Sequence, residues 1–137
     1  QTELVVKEVL KKFNTFDNTF LMQVTSPFIN KNDLKLALNK FRKEKLDSLF
    51  SCYLTKKFFW INRNNVLNPI NYNFKKRPMR QKHKKTMVEN GAFYIFNNSK
   101  FHKYNNRLFG KIGSFIMPKE RSVEIDSLAD FRNSNKS

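Results

Sequence analysis

Residues 88–96, VENGAFYIF, place an Asn-Gly pair directly before five apolar or aromatic residues. Asn-Gly usually forms a tight turn, and the run that follows it is typical of a buried strand. Just upstream, residues 75–85, KKRPMRQKHKK, form a strongly cationic segment. Because glycine has no side chain, it lets another group approach the backbone closely. A cationic loop, a turn and a buried strand in this order are typical of one wall of an anion-binding site.

The composition indicates one folded domain. The chain has 137 residues, and apolar side chains make up 39% of them, which is enough for a core. No apolar run approaches the roughly 20 residues of a membrane-spanning helix, and the first residues carry charges where a signal peptide is apolar. The lone Cys52 fits a reducing compartment and excludes an internal disulfide or a multi-cysteine zinc site. We therefore expect a cytoplasmic protein with no membrane partner.

The formal net charge of +16 has two interpretations. A clustered basic surface would indicate nucleic acid or another polyanion as the partner. Compositional drift in an AT-rich genome would also enrich Lys, Asn, Phe and Ile. Outside residues 75–85 the lysines are spread along the chain. This favours drift and predicts no specific nucleic-acid partner.

The hydrophobic pattern alternates between helical and extended periods. Helices are expected over residues 2–13, around the stripe Leu34, Leu38 and Phe41 with Asn32 or Asp33 as its cap, and over residues 99–104 with Asn98 or Ser99 as its cap. Strands are expected over residues 20–24, 48–54, 91–97 and 113–118, with a hairpin turn at NRNN, residues 62–65. Residues 71–89 read as a long loop, which is usually functional or disordered. The alternation predicts an α/β fold with a mainly parallel sheet and ligands beyond the carboxyl ends of its strands.

The segment SVEIDSLAD carries two carboxylates, Glu124 and Asp126, on either side of Ile125. In an extended chain both carboxylates lie on one face, where they could hold a hard cation such as Mg²⁺. The alternative is a solvated strand end, with Asp126 or Ser127 as the cap of a helix. The spacing alone favours this alternative.

The segment RPMRQ offers Arg77, Arg80 and Gln81. An Arg side chain binds carboxylate or phosphate through two parallel hydrogen bonds. The alternative is a solvated basic loop, and the segment alone favours it. The two histidines, His83 and His102, lack the spacing of metal ligands and are expected to be exposed to solvent.

The segment QVTSP places Gln23 at the carboxyl end of a predicted strand, where its amide could bind a polar ligand. The alternative is a strand followed by a local turn, with Thr25 and Ser26 as caps.

The order of these segments is more informative than any of them alone. The chain carries four segments in order: MQVTSPF, then RQ, then ENGAFYI ten residues after Arg80, then EIDSLAD. In this order they resemble the acylneuraminate cytidylyltransferase family, and the resemblance extends from about Leu4 to Phe131. The resemblance implies a GT-A/Rossmann-like nucleotidyltransferase sheet with flanking helices. It also implies that the chain is N-terminally incomplete, because family members begin with a strand and a glycine-containing loop that holds CTP. Residues 1–131 would be the C-terminal part of that domain, and residues 132–137 a frayed tail.

The resemblance assigns roles to individual residues. Gln23 matches the strand-end residue that contacts the sugar acid, and Arg80, with its neighbour Gln81, matches the residue that pairs with the carboxylate of the sugar. Asn90 and Gly91 match the turn beside the sugar, and Tyr94 the aromatic position on the following strand. Asp126 matches the second metal-binding aspartate, and Glu124 stands where many members have Asp. Asp126 and Arg80 would be the catalytic residues.

The activity that the resemblance implies is transfer of CMP from CTP to a sialic-acid-like nonulosonic acid, with release of pyrophosphate. Mg²⁺ would be the cofactor, and a hairpin near residues 54–72 would form a homodimer. Products of this kind serve surface polysaccharide biosynthesis. Without the CTP-binding segment, this chain alone is expected to be inactive. The alternatives are a cytidylyltransferase for an eight-carbon ulosonic acid and a non-catalytic basic protein that binds nucleic acid.

Overall fold

The computed structural model describes residues 2–13, 15–127, 130 and 132 and divides into two units. The first unit comprises residues 1–53 and 89–137, and the second comprises Leu54–Val88. Arg132 apart, the tail expected at residues 132–137 lies outside the described residues. No described helix is long and apolar enough to cross a membrane.

Helices and strands follow one another along the chain much as the sequence predicts. In chain order they are α1 (Thr2–Lys12), β1 (Asn18–Met22), α2 (Lys31–Lys43), β2 (Ser48–Thr55), β3 (Trp60–Arg63), β4 (Val66–Pro69), β5 (Thr86–Asn97), α3 (Asn98–Tyr104) and β6 (Ile112–Ile116). Single turns of 3₁₀ helix lie at Phe74–Lys76 and Lys119–Arg121. The strands form a four-stranded sheet in the order β1-β5-β2-β6 and a separate β3-β4 hairpin.

The inner strand β5 runs against its neighbours. It pairs antiparallel with β1, with Phe93 opposite Met22. On the other side, the Asn97 amide donates to the Asp47 carbonyl over 3.1 Å, and the Phe93 amide donates to Ser51 Oγ over 2.9 Å. The order of these two contacts makes β5 antiparallel to β2 as well.

The remaining strand pair is parallel, since Ser48 of β2 lies opposite Ile112 of β6. The fold is therefore α/β, as predicted, but the expectation of a mainly parallel sheet is wrong for the pairings of β5. Because β5 is reversed, its beginning lies at the same sheet edge as the carboxyl ends of β1 and β6. That edge brings Gln23, Gly91 and Glu124 close together.

The core has two halves, one on each face of the sheet, because successive side chains of β5 point to opposite faces. Phe93 and Ile95 pack with α2 residues on one face, and Tyr94 and Phe96 pack with α1 residues on the other. Phe93, Ile95 and Phe96 are fully buried. Each such side chain contributes about 1.5–3 kcal/mol of hydrophobic stabilisation, so β5 organises the first unit.

The boundaries differ from the predictions where polar side chains decide them. Helix α2 is capped by Asn30, whose side chain accepts from the Asp33 amide, while Asp33 accepts in return from the Asn30 amide. Asp33 thus belongs to a capping box and is not itself the cap. Helix α3 is likewise capped one residue early, by Asn97. Strand β1 begins and ends two residues before the predicted strand, so Gln23 lies just beyond it.

The second unit holds the β3-β4 hairpin and the segment after it. Asn64 and Asn65 both have positive φ, as a tight hairpin turn requires, which confirms the turn at NRNN. The predicted long loop is shorter than expected, because β5 already begins at Thr86.

A group of partly buried polar contacts centred on Asn71 holds the second unit together. Its amide nitrogen donates to the Lys57 carbonyl over 3.0 Å and to Thr86 Oγ1 over 2.9 Å, and its oxygen accepts from the Phe59 amide. The same nitrogen lies 3.3 Å from His83 Nε2. His83 is only 6% exposed, so its predicted exposure is wrong. His102 is exposed, as predicted.

Candidate functional site

The carboxyl end of β1 meets the beginning of β5. The Gln23 amide donates to the Ala92 carbonyl over 3.0 Å, which places Gln23 beside the Asn90-Gly91 pair. The Gln23 side chain lines an apolar groove of about 940 Å³ between β1 and α2. The Ser26 hydroxyl, also in this groove, is buried and has no hydrogen-bond partner among the described residues. A buried hydroxyl without a hydrogen-bond partner is energetically costly.

Gly91 has φ of +63°, but it lies within β5 and does not form the predicted tight turn. A glycine with positive φ inside a strand produces a local bend. A Cβ at this position would lie 2.5 Å from Glu124 Oε1. The sequence predicted that Gly91 makes room for a ligand, and in this structure the close group is the carboxylate of Glu124.

Asn90 is 4% exposed, and its polar atoms bind within the protein. Its amide nitrogen donates to Ser122 Oγ over 2.9 Å and contacts Met117 Sδ at 3.4 Å, while its oxygen accepts from the Ala92 amide. Asn90 therefore fixes the segment after β6 to the start of β5. A direct side-chain contact with sugar stays a prediction.

The acidic segment lies alongside the strand end of β1. The Ile125 amide donates to the Thr25 carbonyl over 2.8 Å, which holds the two neighbouring carboxylates beside residues 23–26. Burial raises the pKa of Glu124 above its usual range, and the charge of Asp126 raises it further. The two carboxylates therefore lie close enough to repel each other.

Ser127, one of the two residues predicted as a helix cap, forms hydrogen bonds with Asp130. Its amide and hydroxyl donate to Asp130 Oδ2, and its oxygen accepts from the Asp130 amide over 3.2 Å. Within the described residues, the Asp126 carboxylate makes no side-chain hydrogen bond. These hydrogen bonds and a metal role for Asp126 are therefore compatible.

Within the part of the chain that the structure describes, no group of three or more His, Cys, Asp or Glu side chains could hold a metal ion. Mg²⁺ commonly binds through one or two carboxylates, with waters and substrate phosphates as its other ligands. Glu124 and Asp126 supply such a pair, and a bound cation would relieve their repulsion. These residues fit a site that becomes complete only with substrate.

Tyr94 lies on the other face of the sheet, in the core half that packs against α1. Its hydroxyl donates to the Glu89 carboxylate, and the Arg107 guanidinium lies 4.9 Å from the centre of its ring. Burial, followed by the bond to Glu89, raises the pKa of Tyr94 to about 12. Its side chain therefore supports the strand from the α1 face, whereas Gln23 lines the groove on the α2 face.

Arg80 and Gln81 belong to the second unit. Arg80 is exposed and lines a cleft of about 420 Å³ with Lys57, Arg77 and the aromatic rings of Phe58, Trp60 and Tyr72. The Gln81 carbonyl accepts from Lys56 Nζ over 2.5 Å. The geometry within this unit gives Arg80 the free guanidinium that anion binding requires.

Sequence reasoning missed the ion pair between Arg121 and Asp33. The guanidinium donates to both carboxylate oxygens of Asp33, to Oδ1 over 2.8 Å, and also to the Phe28 carbonyl over 3.2 Å. This bond is the main cause of the lowered pKa of Asp33. The pair attaches the segment before Glu124 to the start of α2. No local sequence pattern predicts this ion pair, because the two residues lie 88 positions apart in the chain.

Comparison with curated proteins finds cytidylyltransferases. N-acylneuraminate cytidylyltransferase B of Danio rerio is 32% identical over 109 residues, which cover 77% of this chain and 26% of that protein. Pseudaminic acid cytidylyltransferase of Campylobacter jejuni strain 81-176 is 29% identical over 132 residues, which cover 90% of this chain and 55% of that protein. The chain thus spans about half the length of the bacterial relative and a quarter of the fish relative. No protein-family model matches it.

The fold also matches a solved structure. The 4-diphosphocytidyl-2C-methyl-D-erythritol synthase of Anaerococcus prevotii superposes with a TM-score of 0.69 at 13% identity, over 99% of this chain and 65% of that one. At this identity the likeness shows the fold alone, an α/β sheet with flanking helices. The sequence relatives go further: N-acylneuraminate and pseudaminic acid cytidylyltransferases are about 30% identical to this chain over most of its length, which supports its membership of the acylneuraminate cytidylyltransferase family.

Proposed function

We propose that this chain forms the sugar-binding and metal-binding part of a cytidylyltransferase. The complete enzyme transfers CMP from CTP to a sialic-acid-like nonulosonic acid and releases pyrophosphate, in the cytoplasm, for surface polysaccharide biosynthesis. The observation that carries the proposal is the convergence of Gln23, Glu124 and Asp126 at one sheet edge of a chain related to such enzymes.

Each residue has a distinct task in this reaction. The Gln23 amide binds hydroxyl or acylamino groups of the sugar acid in the groove. The Arg80 guanidinium binds the carboxylate of the sugar acid through two parallel hydrogen bonds, the role that the family resemblance assigns to it. Glu124 and Asp126 hold Mg²⁺, which would offset phosphate charge.

The β3-β4 hairpin is the proposed dimer interface. Apolar side chains are exposed on both faces of the hairpin, Ile61 and Val66 on one face and Leu67 on the other. Exposed apolar side chains on a hairpin are available for contact with a second copy of the chain. Sedimentation equilibrium should give a homodimer, and Leu67→Asp should shift it to monomer while the helical content stays unchanged. A wild-type monomer at micromolar concentration would remove this part of the proposal.

The experiment that tests the function is pyrophosphate release from CTP in the presence of single sugar acids. The full-length protein that carries this sequence should turn over with one or more of sialic, legionaminic and pseudaminic acid. The 137-residue chain alone should not, because the family resemblance places the CTP-binding loop in a segment outside it. Turnover only with an eight-carbon ulosonic acid would establish the alternative substrate. Robust turnover by the isolated chain would contradict the proposed division of the site.

A further inference from the structure

The positive charge of the chain is concentrated in the second unit. Leu54–Val88 contain ten Lys and Arg residues and no Asp or Glu, whereas the other residues contain seventeen basic and eleven acidic side chains. Drift toward lysine codons would act on both units. Drift of this kind does not explain why the second unit contains no acidic residues.

These cations are displayed to solvent. Nine of the ten are exposed, and none takes part in the ion pairs found among the described residues. Seven of the ten lie within residues 75–85, here called the basic loop. With so little internal neutralisation, the loop repels itself, and a polyanion would relieve that repulsion.

The basic loop has a defined conformation. Asn73 caps its first turn by accepting from the Lys75 amide over 3.0 Å. The amides of Lys82 and His83 donate to the Met79 carbonyl over 2.9 and 3.0 Å. The buried His83 ring lies 4.6 Å from the Phe58 ring and fixes the end of the loop. The charged side chains therefore project from a fixed backbone.

Aromatic rings accompany the charges. Phe74, at the start of the loop, is 56% exposed, and its ring centre lies 6.2 Å from that of Trp60, which is 46% exposed. The Arg77 guanidinium lies 4.5 Å from the centre of the Phe58 ring. Exposed rings beside cations favour unpaired bases, which stack on aromatic side chains while phosphates meet lysines.

We propose that the second unit binds single-stranded nucleic acid, without sequence preference, through the basic loop and Phe74. This goes beyond the proposed transferase function and does not depend on it. Each phosphate neutralised contributes about −0.7 to the slope of log K against log salt on a single strand. Contacts from five or six of the loop cations should give a slope near −4.

The test is fluorescence anisotropy of a labelled 20-mer of uridine with the full chain between 50 and 200 mM KCl. The loop variant is Lys82→Gln, Lys84→Gln and Lys85→Gln together. The matched control removes the same charge from exposed lysines of the first unit: Lys7→Gln, Lys12→Gln and Lys43→Gln. Circular dichroism confirms that both variants fold.

The loop variant should flatten the slope by about 2 and weaken binding at 150 mM salt by roughly 50-fold, while the control changes it by less than threefold. Phe74→Ala should weaken uridine binding by about tenfold and leave heparin binding unchanged, since stacking needs a base. Equal effects of the two triple variants would overturn the proposal in favour of general charge attraction. Competition by heparin or duplex DNA as effective as that of the 20-mer would overturn the choice of single strands.

Discussion

Replacing Arg121 by methionine should destabilise the first unit although the residue lies outside the core. Its guanidinium binds both oxygens of Asp33, whose side chain is 6% exposed. Methionine keeps the aliphatic stem and removes the charge. The buried carboxylate then keeps its capping bond from the Asn30 amide and loses its cation.

The magnitude follows from the environment of each partner. Breaking a fully buried ion pair costs 3–5 kcal/mol. The Arg121 side chain is 30% exposed, so water screens part of the interaction. We expect Arg121→Met to lower the free energy of unfolding by about 2 kcal/mol, and Asp33→Ala by about 3 kcal/mol because it also removes half of the capping box. A matched control is Lys40→Met, which removes a surface contact to Glu44 at 3.9 Å and should cost less than about 0.5 kcal/mol.

The assay is urea unfolding followed by far-ultraviolet circular dichroism, with the double variant completing a thermodynamic cycle. The folded-state pKa of Asp33 lies below its usual value. The pair therefore stabilises fully above the unfolded-state pKa, near 4, and this stabilisation is lost as the pH falls through the folded-state pKa. The difference between wild type and Arg121→Met should be full at pH 7 and shrink below about pH 4. A coupling energy below 0.5 kcal/mol at pH 7, or a difference that grows in acid, would refute this account.

Three further predictions concern the candidate site. Gly91→Ala should cost about 1–2 kcal/mol of stability, measured by urea unfolding, because alanine resists positive φ and its Cβ would displace Glu124; an unchanged midpoint would contradict the close contact. In the full-length enzyme, Asp126→Asn should lose most activity, and Glu124→Asp should be tolerated better than Glu124→Gln in Mg²⁺ titrations; unchanged Mg²⁺ dependence in Asp126→Asn would leave only structural roles. Arg80→Lys should raise the KM for the sugar acid by roughly 10- to 150-fold, with the KM for CTP nearly constant; equal changes in both constants would exclude Arg80 as the carboxylate ligand.

Local patterns were sufficient to predict much of the fold. The helical spacing of the apolar residues within residues 2–13 predicted α1, although the structure buries Val6, which lay outside the predicted apolar stripe. The NRNN segment predicted the hairpin turn, and the aromatic run predicted the buried part of β5. The direction of each strand could not be predicted from the sequence, because the apolar periodicity is the same in parallel and antiparallel strands. The Asn-Gly pair was misread as a turn because its preference for positive φ also suits a bend within a strand.

For the candidate site, the order of the sequence segments indicated the family resemblance and its residues, and the structure showed which of these residues are in contact. The proximity of Glu124 to Gly91 joins residues 33 positions apart, and the Asn71 group depends on packing within the second unit. His83 shows the limit most clearly: its neighbours in sequence are cations, and its neighbours in space are Asn71 and Phe58. Non-local burial of this kind leaves no trace in the local pattern.

The position of Asn90 has a consequence for the chemical ageing of the protein. In Asn-Gly dipeptides the following backbone nitrogen readily attacks the side-chain amide and releases ammonia, because glycine offers no steric obstruction. Here the Asn90 amide is buried and held by Ser122 and Met117, within a strand. Deamidation should therefore track unfolding and not storage time in the folded state. Each deamidation would leave a carboxylate facing the Ser122 hydroxyl and close to the acidic segment. A protein sample that has been unfolded repeatedly would therefore refold with a lower yield after a single deamidation, which changes the mass by about one unit.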